Sequence, residues 1–221
     1  MKHLLFMPDG NRRYSRKEGI SLKDAYRKGA EKLELFADFF LLENKWDQLT
    51  VHLMSKYTHE RTDGSLKPIY DILIDKFTEL HDNNFFTNNS LKFIYIDHSY
   101  KLPEQLEEIC QDLEIQTRNN PRIVRNLLGY DLETDEKEAF ECARDYQEFC
   151  KLRLIPQIDL VVRTTEMRLS KGPVYAMSQA QMILAHKLNP ELERKDLIEI
   201  LDQYHSLKDY RKTTNPVHVD V

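Results

Sequence analysis

The residues best suited to chemistry lie in two short clusters. In the first, an apolar run, Leu4-Leu5-Phe6-Met7-Pro8, ends at Asp9-Gly10-Asn11-Arg12-Arg13. Glycine lets the backbone approach a ligand, free N–H groups at a helix start face an anion, and guanidinium forks match paired phosphate oxygens. Asp9 fits such a pocket when a divalent cation stands between its carboxylate and the anion. In the second, the run Ile158-Asp159-Leu160-Val161-Val162 leads into Arg163-Thr164-Thr165-Glu166-Met167-Arg168-Leu169-Ser170. Two fixed cations and a hydroxyl are donors that suit an anion with several oxygens, such as a diphosphate. Alone, the first cluster also reads as a strand-end turn with surface arginines, and the second as an arginine pair bridging to Asp159 or Glu166.

The elements that must position these clusters alternate in type. Apolar runs at Leu4 to Met7, Leu49 to Met54, Leu91 to Ile96, Ile123 to Leu128, Ile158 to Val162 and Met182 to Ala185 predict strands. Between them, helical spacing predicts helices over Ser21 to Glu43, from Ser65 through Leu80, Pro103 to Ile115, Glu133 to Leu152 and Arg194 to Leu207. Such alternation, with crossovers long enough for parallel pairing, gives an α/β fold: a central, mostly parallel sheet of about six strands flanked by helices, in one domain over residues 1–221. Ligands of such sheets bind beyond the carboxyl ends of the strands. Asp9, Arg12 and Arg13, then Arg61, Gly129, Arg163 and Arg168 all follow strand ends, so distant arginines can converge on one edge.

Composition narrows the classes. The chain has 221 residues, 41% hydrophobic and 31% charged, which suits a folded globular domain rather than disorder. Its net charge of −5 and the lack of a long basic run argue against a broad nucleic-acid surface. Three cysteines, Cys110, Cys142 and Cys150, show no metal-ligand spacing and read as reduced thiols of a cytoplasmic protein. Leu4 to Met7 is too short for a signal peptide, and no stretch approaches the ~20 apolar residues of a membrane span.

With these residues in view, the sequence resembles the cis-prenyltransferases, relatives of undecaprenyl diphosphate synthase. Met7-Pro8-Asp9-Gly10-Asn11-Arg12-Arg13-Tyr14-Ser15 is similar to the family's opening Met-Asp-Gly-Asn-Gly-Arg-Trp-Ala, with a proline added. Arg163 to Ser170 resembles its Arg-Thr-Ser-Gly-Glu-x-Arg-x-Ser with one residue missing. Leu49 to Arg61 occupies the place of its Leu-Tyr-Ala-Phe-Ser-Ser-Glu-Asn-Trp-Asn-Arg motif, and Leu188-Asn189-Pro190-Glu191 that of a Trp-Pro-Asp segment. The resemblance implies isoprenoid diphosphate chemistry with Mg²⁺. Asp9 would hold the ion; Gly10, Asn11, Arg12 and Arg13 would cradle the allylic diphosphate; Asp9, Asn11 and Arg61 would be the catalytic set. Arg163, Arg168 and Ser170 would grip the acceptor diphosphate, and a homodimer is implied.

The departures point to a variant. Leu22 and Tyr26 replace an arginine and a histidine of the family's first helix, and Gln181 falls at the position of the glutamate that completes the metal site. Asn126-Leu127-Leu128-Gly129-Tyr130 replaces Asn-Tyr-Gly-Gly-Arg, and the basic tail becomes Tyr210-Arg211-Lys212-Thr213-Thr214. Pro8, the doubled Arg12-Arg13 and Tyr26 resemble the branch typified by cyclolavandulyl diphosphate synthase. This implies short-chain, irregular, head-to-middle coupling of two isoprenoid diphosphates, among dimethylallyl, geranyl, farnesyl and isopentenyl diphosphate, rather than long-chain elongation. Alternatives are a terpene synthase or aromatic prenyltransferase on the same fold, and a non-catalytic partner subunit. Tyr26, Phe36, Phe39, Phe40 and Phe77 are candidates for an apolar tunnel, with ordinary core as the default. His52 reads as core, while His59 and His98, at strand ends, are candidates to face the cleft, as are Tyr26 and Tyr57.

Overall fold

A computed structural model describes residues 1–169 and 171–207. Its chain order is β1 (His3–Met7), α1 (Asn11–Glu18), α2 (Leu22–Phe36), β2 (Gln48–His52), α3 (Leu66–Asp82), α4 (Phe85–Asn88), β3 (Leu91–Asp97), α5 (Glu104–Thr117), β4 (Arg122–Gly129), α6 (Leu132–Cys142), α7 (Tyr146–Leu152), β5 (Leu160–Thr164), β6 (Gln181–Ala185) and α8 (Arg194–Ser206). The six strands form one sheet in the order β3-β4-β2-β1-β5-β6, and every pairing is parallel. β1 is buried along its whole length, which is why it reads as an unbroken apolar run rather than an alternating one.

Alternation along each strand builds two cores. Leu4 and Phe6 join Leu49, Val51, Leu160 and Val162 in the larger one, together with apolar residues of α2, α3, α5 and α8. There Phe6 stacks on Phe36 at 3.7 Å between ring centroids, and Phe40 meets Trp46 edge-on at 5.3 Å. Leu5 and Met7 face the other way, into a smaller core with Leu127, Tyr130, Ile158 and Val161. Phe36, Phe39, Phe40 and Phe77 are all buried in the larger core. Their size and number serve packing, where each aromatic side chain buries much apolar area.

Two helices differ from the sequence reading. The helix beginning at Leu22 continues to Glu43, but Ala37–Glu43 widens into a π-helix that closes with the Asn44 N–H on the Phe39 carbonyl. Ser21 caps its start, as expected, accepting the Asp24 N–H at 3.1 Å. The single helix expected over Glu133 to Leu152 is two, because Ala143 turns extended after α6 and Asp145 recaps the chain by accepting the Glu148 N–H at 2.8 Å.

The amino end of the sheet holds a buried polar group. His3 is 1% exposed. Its Nδ1 pairs with the Gln157 carbonyl at 3.1 Å, and its Nε2 with the Thr50 hydroxyl at 2.8 Å. The carbonyl only accepts, so Nδ1 carries the proton and Nε2 accepts from Thr50. Arg125, buried and donating to Thr50 and Gln48, supplies a positive charge close by. Burial first, then Arg125, lower the His3 pKa to about 4. The native state therefore binds fewer protons than the unfolded chain between that value and the ordinary histidine pKa. Stability is full above pH ~6.5 and falls as pH drops toward 4, by up to roughly 3 kcal/mol from this residue. Urea titrations across this window are expected to show that loss, and His3→Gln should flatten the acid limb of the curve.

Candidate active site

The site forms where the sheet's connections diverge. From β1 the chain crosses to β2 on one side, while β5 runs on to β6 on the other, and β1 and β5 lie side by side between them. Such a split leaves a crevice beyond the carboxyl ends of the strands. The two loops meet there. The Asp9 N–H donates to the Thr164 hydroxyl at 2.5 Å, and that hydroxyl donates to the Asp9 carbonyl at 2.9 Å. The two expected clusters, remote in sequence, are thus one structure.

Gly10 makes the turn into α1. Its φ of 99° lies in the left-handed region, and a Cβ there would stand 2.8 Å from Leu188 Cδ2 and 2.9 Å from Thr165 Cγ2. No side chain caps α1, so its first-turn N–H groups and positive dipole end face the crevice. The cavity there has a volume of about 400 Å³. Its polar part is lined by Asp9, Gly10, Asn11, Arg12, Arg13, Arg16, Arg61, Glu166, Arg168 and Asn189. Its apolar part lies between α2 and α3, where Ala30 and Leu33 face Ile69, Ile72 and Leu73. Tyr26 lines it too, its hydroxyl pKa raised by burial against the opposing pull of Arg61 and Arg12.

Five arginines against two carboxylates line this cavity, so its field favours an anion. Arg13 donates to Thr165 at 2.9 Å and pairs with Glu166 at 3.1 Å and Asp9 at 3.4 Å. Arg168 pairs with the other Glu166 oxygen at 3.1 Å. Arg12 reaches sideways to Asp63 at 2.6 Å, and the Ser65 N–H and hydroxyl hold that carboxylate in place. Arg61 and Arg16 have no ion pair among the described residues and face the cavity.

Of the expected anion and metal residues, Asp9, Gly10, Asn11, Arg12, Arg13, Arg61 and Arg168 come together around this cavity. Arg163 does not line it: its side chain is 5% exposed and lies under Asp9, with Nη2 3.4 Å from the carboxylate. Burial lowers the Arg163 pKa, while Asp9 opposes that shift. Ser170 and Tyr210 to Thr214 lie outside the described residues. Gln181 is the first residue of β6, beside Leu160, whereas the site end of those strands is the Thr164–Ala185 pair. Four residues of strand, roughly 13 Å, separate it from the edge where Asp9 sits, so within one chain the two do not meet.

His59 is held by the Tyr70 hydroxyl at 2.5 Å and the Leu128 carbonyl at 2.7 Å, and His98 packs on Tyr130. Neither lines the cavity; both are buried parts of the core, as strand-end position alone does not say which way a ring turns. For His52, burial and then Arg163 lower the pKa to about 4. Sequence reasoning missed Arg16, whose only signal was its place one turn after Arg12 and Arg13 on the same helix, and it pointed to the two helices of the apolar wall through their aromatic residues rather than through Leu33, Ile69, Ile72 and Leu73. That wall had the periodicity of any buried helix face.

No group of three or more histidine, cysteine, aspartate or glutamate side chains suited to a metal occurs among the described residues. Asp9 is the cavity's candidate ligand, a half-exposed carboxylate opening onto the cavity. Mg²⁺ is commonly held by one or two carboxylates together with substrate phosphates, and this donor set fits that arrangement.

Comparison with known proteins agrees with this architecture. The family model described as putative undecaprenyl diphosphate synthase matches residues 7–212. A tritrans,polycis-undecaprenyl-diphosphate synthase (geranylgeranyl-diphosphate specific) of Pyrobaculum aerophilum is 29% identical, over 91% of this chain and 92% of its own. An isoprenyl transferase of Fusobacterium nucleatum is 24% identical over 92% of each. In fold, the chain is similar to lavandulyl diphosphate synthase from Lavandula x intermedia, solved with dimethylallyl diphosphate. Their TM-score is 0.79 at 19% identity, over 94% of this chain and 96% of that one. A probable undecaprenyl diphosphate synthase from Campylobacter jejuni gives a TM-score of 0.77 at 18% identity, with the same shares covered. From the family match over nearly its whole length, the chain belongs to the cis-prenyltransferase family, that of undecaprenyl diphosphate synthase, and is a prenyl-transferring enzyme.

Proposed function

We propose that this enzyme ionises a short allylic diphosphate in the presence of Mg²⁺ and joins it to a second isoprenoid diphosphate in an irregular, head-to-middle manner. One observation carries the reading: a group of arginines beside Asp9 shares one cavity of about 400 Å³ with an apolar wall. That volume is near the low end for small-ligand sites, which favours short donors over a growing long chain. Tyr26 in the cavity, where the family carries histidine, and Leu22 in place of an arginine support a departure from ordinary elongation. The fold neighbour was solved in complex with a short allylic diphosphate, dimethylallyl diphosphate.

In this reading, the donor's diphosphate lies against the first turn of α1, Arg13 and Arg61. As its C–O bond breaks, the electron pair leaves with the diphosphate, and the positive N–H groups and guanidinium ions stabilise that charge. Mg²⁺ held by Asp9 would neutralise charge on the same oxygens. Arg163 beneath Asp9 keeps the carboxylate in place. Leu33, Ile69, Ile72 and Leu73 surround the carbocation and exclude water. The acceptor's double bond supplies the electron pair of the new C–C bond, and a proton is then lost. Arg168 and Glu166 mark the acceptor's diphosphate end, with Ser170 the further donor proposed there, while the buried Arg163 acts through Asp9. We also propose a cytoplasmic homodimer. The three free cysteines suit a reducing compartment, exposed Phe140, Tyr146 and Tyr175 suit a covered face, and no helix among the described residues can cross a membrane.

The test is incubation of the protein with Mg²⁺ and dimethylallyl, geranyl or farnesyl diphosphate, with and without isopentenyl diphosphate. Consumption of a short donor with a branched product is expected; consumption of none overturns the proposal. Loss of a single diphosphate with no acceptor incorporated would instead favour a terpene synthase. Asp9→Ala is expected to lower kcat by about 100- to 1,000-fold. For the apolar wall, Ile72→Ala should shift preference toward the longer of two allylic donors by about 10-fold in kcat/KM, read in competition assays.

A further inference from the structure

Asn189 is 1% exposed, sits in the 3₁₀ turn Asn189–Glu191 and lines the cavity. Its backbone N–H donates to the Asp9 carbonyl at 2.9 Å, which ties this turn to the anion loop. Its side chain Nδ2 donates twice, to the Gly29 carbonyl at 3.2 Å and to Asn11 Oδ1 at 3.1 Å.

The Gly29 carbonyl can only accept, so the orientation of the Asn189 amide is fixed: its nitrogen must face Gly29. Asn189 then presents a donor to Asn11, and Asn11 must answer with its oxygen. The Asn11 Nδ2, which has no partner among the described residues, is left for the cavity. Two further observations show that the arrangement is built. Asn189 Oδ1 is buried without a partner, a cost accepted to keep both donors on Gly29 and Asn11. Gly29 leaves room for the contact: a Cβ there would lie 2.7 Å from Asn189 Nδ2 and closer still to Asn11 Oδ1.

We propose that Asn189 is a positioning residue, which, through the chain Gly29 carbonyl, Asn189 amide, Asn11 amide, holds Asn11 as a hydrogen-bond donor toward a diphosphate oxygen. The inference rests on the diphosphate reading of the cavity. An Asn11 turned the other way would present its oxygen to the anion and repel it.

Asn189→Asp tests it, because a carboxylate cannot donate to Gly29 and instead accepts from Asn11, reversing that amide. Binding of inorganic diphosphate with Mg²⁺, measured by calorimetry, is expected to weaken about 10-fold in Asn189→Asp and about 10-fold in Asn11→Ala. The double variant is expected to be no weaker than Asn11→Ala. Losses that multiply in the double variant would mean a structural or purely charge effect and overturn the proposal, as would unchanged binding by a folded Asn189→Asp. Should that variant not fold, side-chain amide resonances of the wild-type protein decide. Those of Asn11 are expected to shift on adding inorganic diphosphate while those of Asn189 stay; a shift at Asn189 alone overturns the relay. A wild-type protein that consumes allylic diphosphates while its relay fails these tests separates the two ideas. One that neither binds diphosphate nor consumes any donor overturns both.

Discussion

Everything at the active end of this protein depends on the pairing of β1 with β5. Parallel strands in neighbouring positions end at the same level, and the chain leaves them in opposite directions. The loops after them are left facing one another across a crevice. The Thr164 hydroxyl closes it at the base by bonding the backbone of Asp9 in both directions, so neither loop can shift without the other. Remove that register and the arginines of the two loops have no common focus.

On this base, charge is arranged with little freedom. Asp9 sits over the buried Arg163 and beside Arg13, while Glu166 takes Arg13 on one oxygen and Arg168 on the other. The exposed pairs contribute little to stability, since solvent screens them. Their effect is to pre-position guanidinium groups that would otherwise repel and spread. A multivalent anion can displace Glu166 from these groups, because it offers more oxygens to the same forks. Arg12, engaged by Asp63, joins the loop before α3 to the rim of the cavity. The helices that form the apolar wall are thereby joined to the groups that hold the polar end.

The amide chain from Gly29 to Asn11 shows how packing decides a polar detail. Gly29 is buried where α2 passes the anion loop, and its missing side chain is filled by two amides. The same close approach fixes the distance between the apolar wall and α1. Fold and site are not separate layers here: the helix that lines the pocket also orients a donor at its mouth.

Much of the frame was legible in the sequence, because its signals are local. Short, mostly apolar runs gave six strands, helical spacing gave most helices, and glycine and arginine after strand ends marked Asp9 to Arg13 and Arg168 as an anion site. Resemblance to the cis-prenyltransferases added the chemistry. What the sequence did not contain was direction and partnership. Phe36, Phe40 and Phe77 have the same spacing as the residues that line the cavity, and only packing sent them to the core. Arg163 and Arg168 look equivalent in their motif, yet strand alternation turns the first under Asp9 while the loop carries the second to the surface. Gln181 could be placed by counting but not in space, since a strand of five residues carries it to the far end of the sheet. Asn189 stood in the sequence only as part of a family-like segment, because its role arises from a carbonyl and two amides that come from three separate parts of the chain. Sequence determined which residue types stand at strand ends; tertiary structure decided which of them face one another, since that depends on strand order and register rather than on any neighbour in the chain.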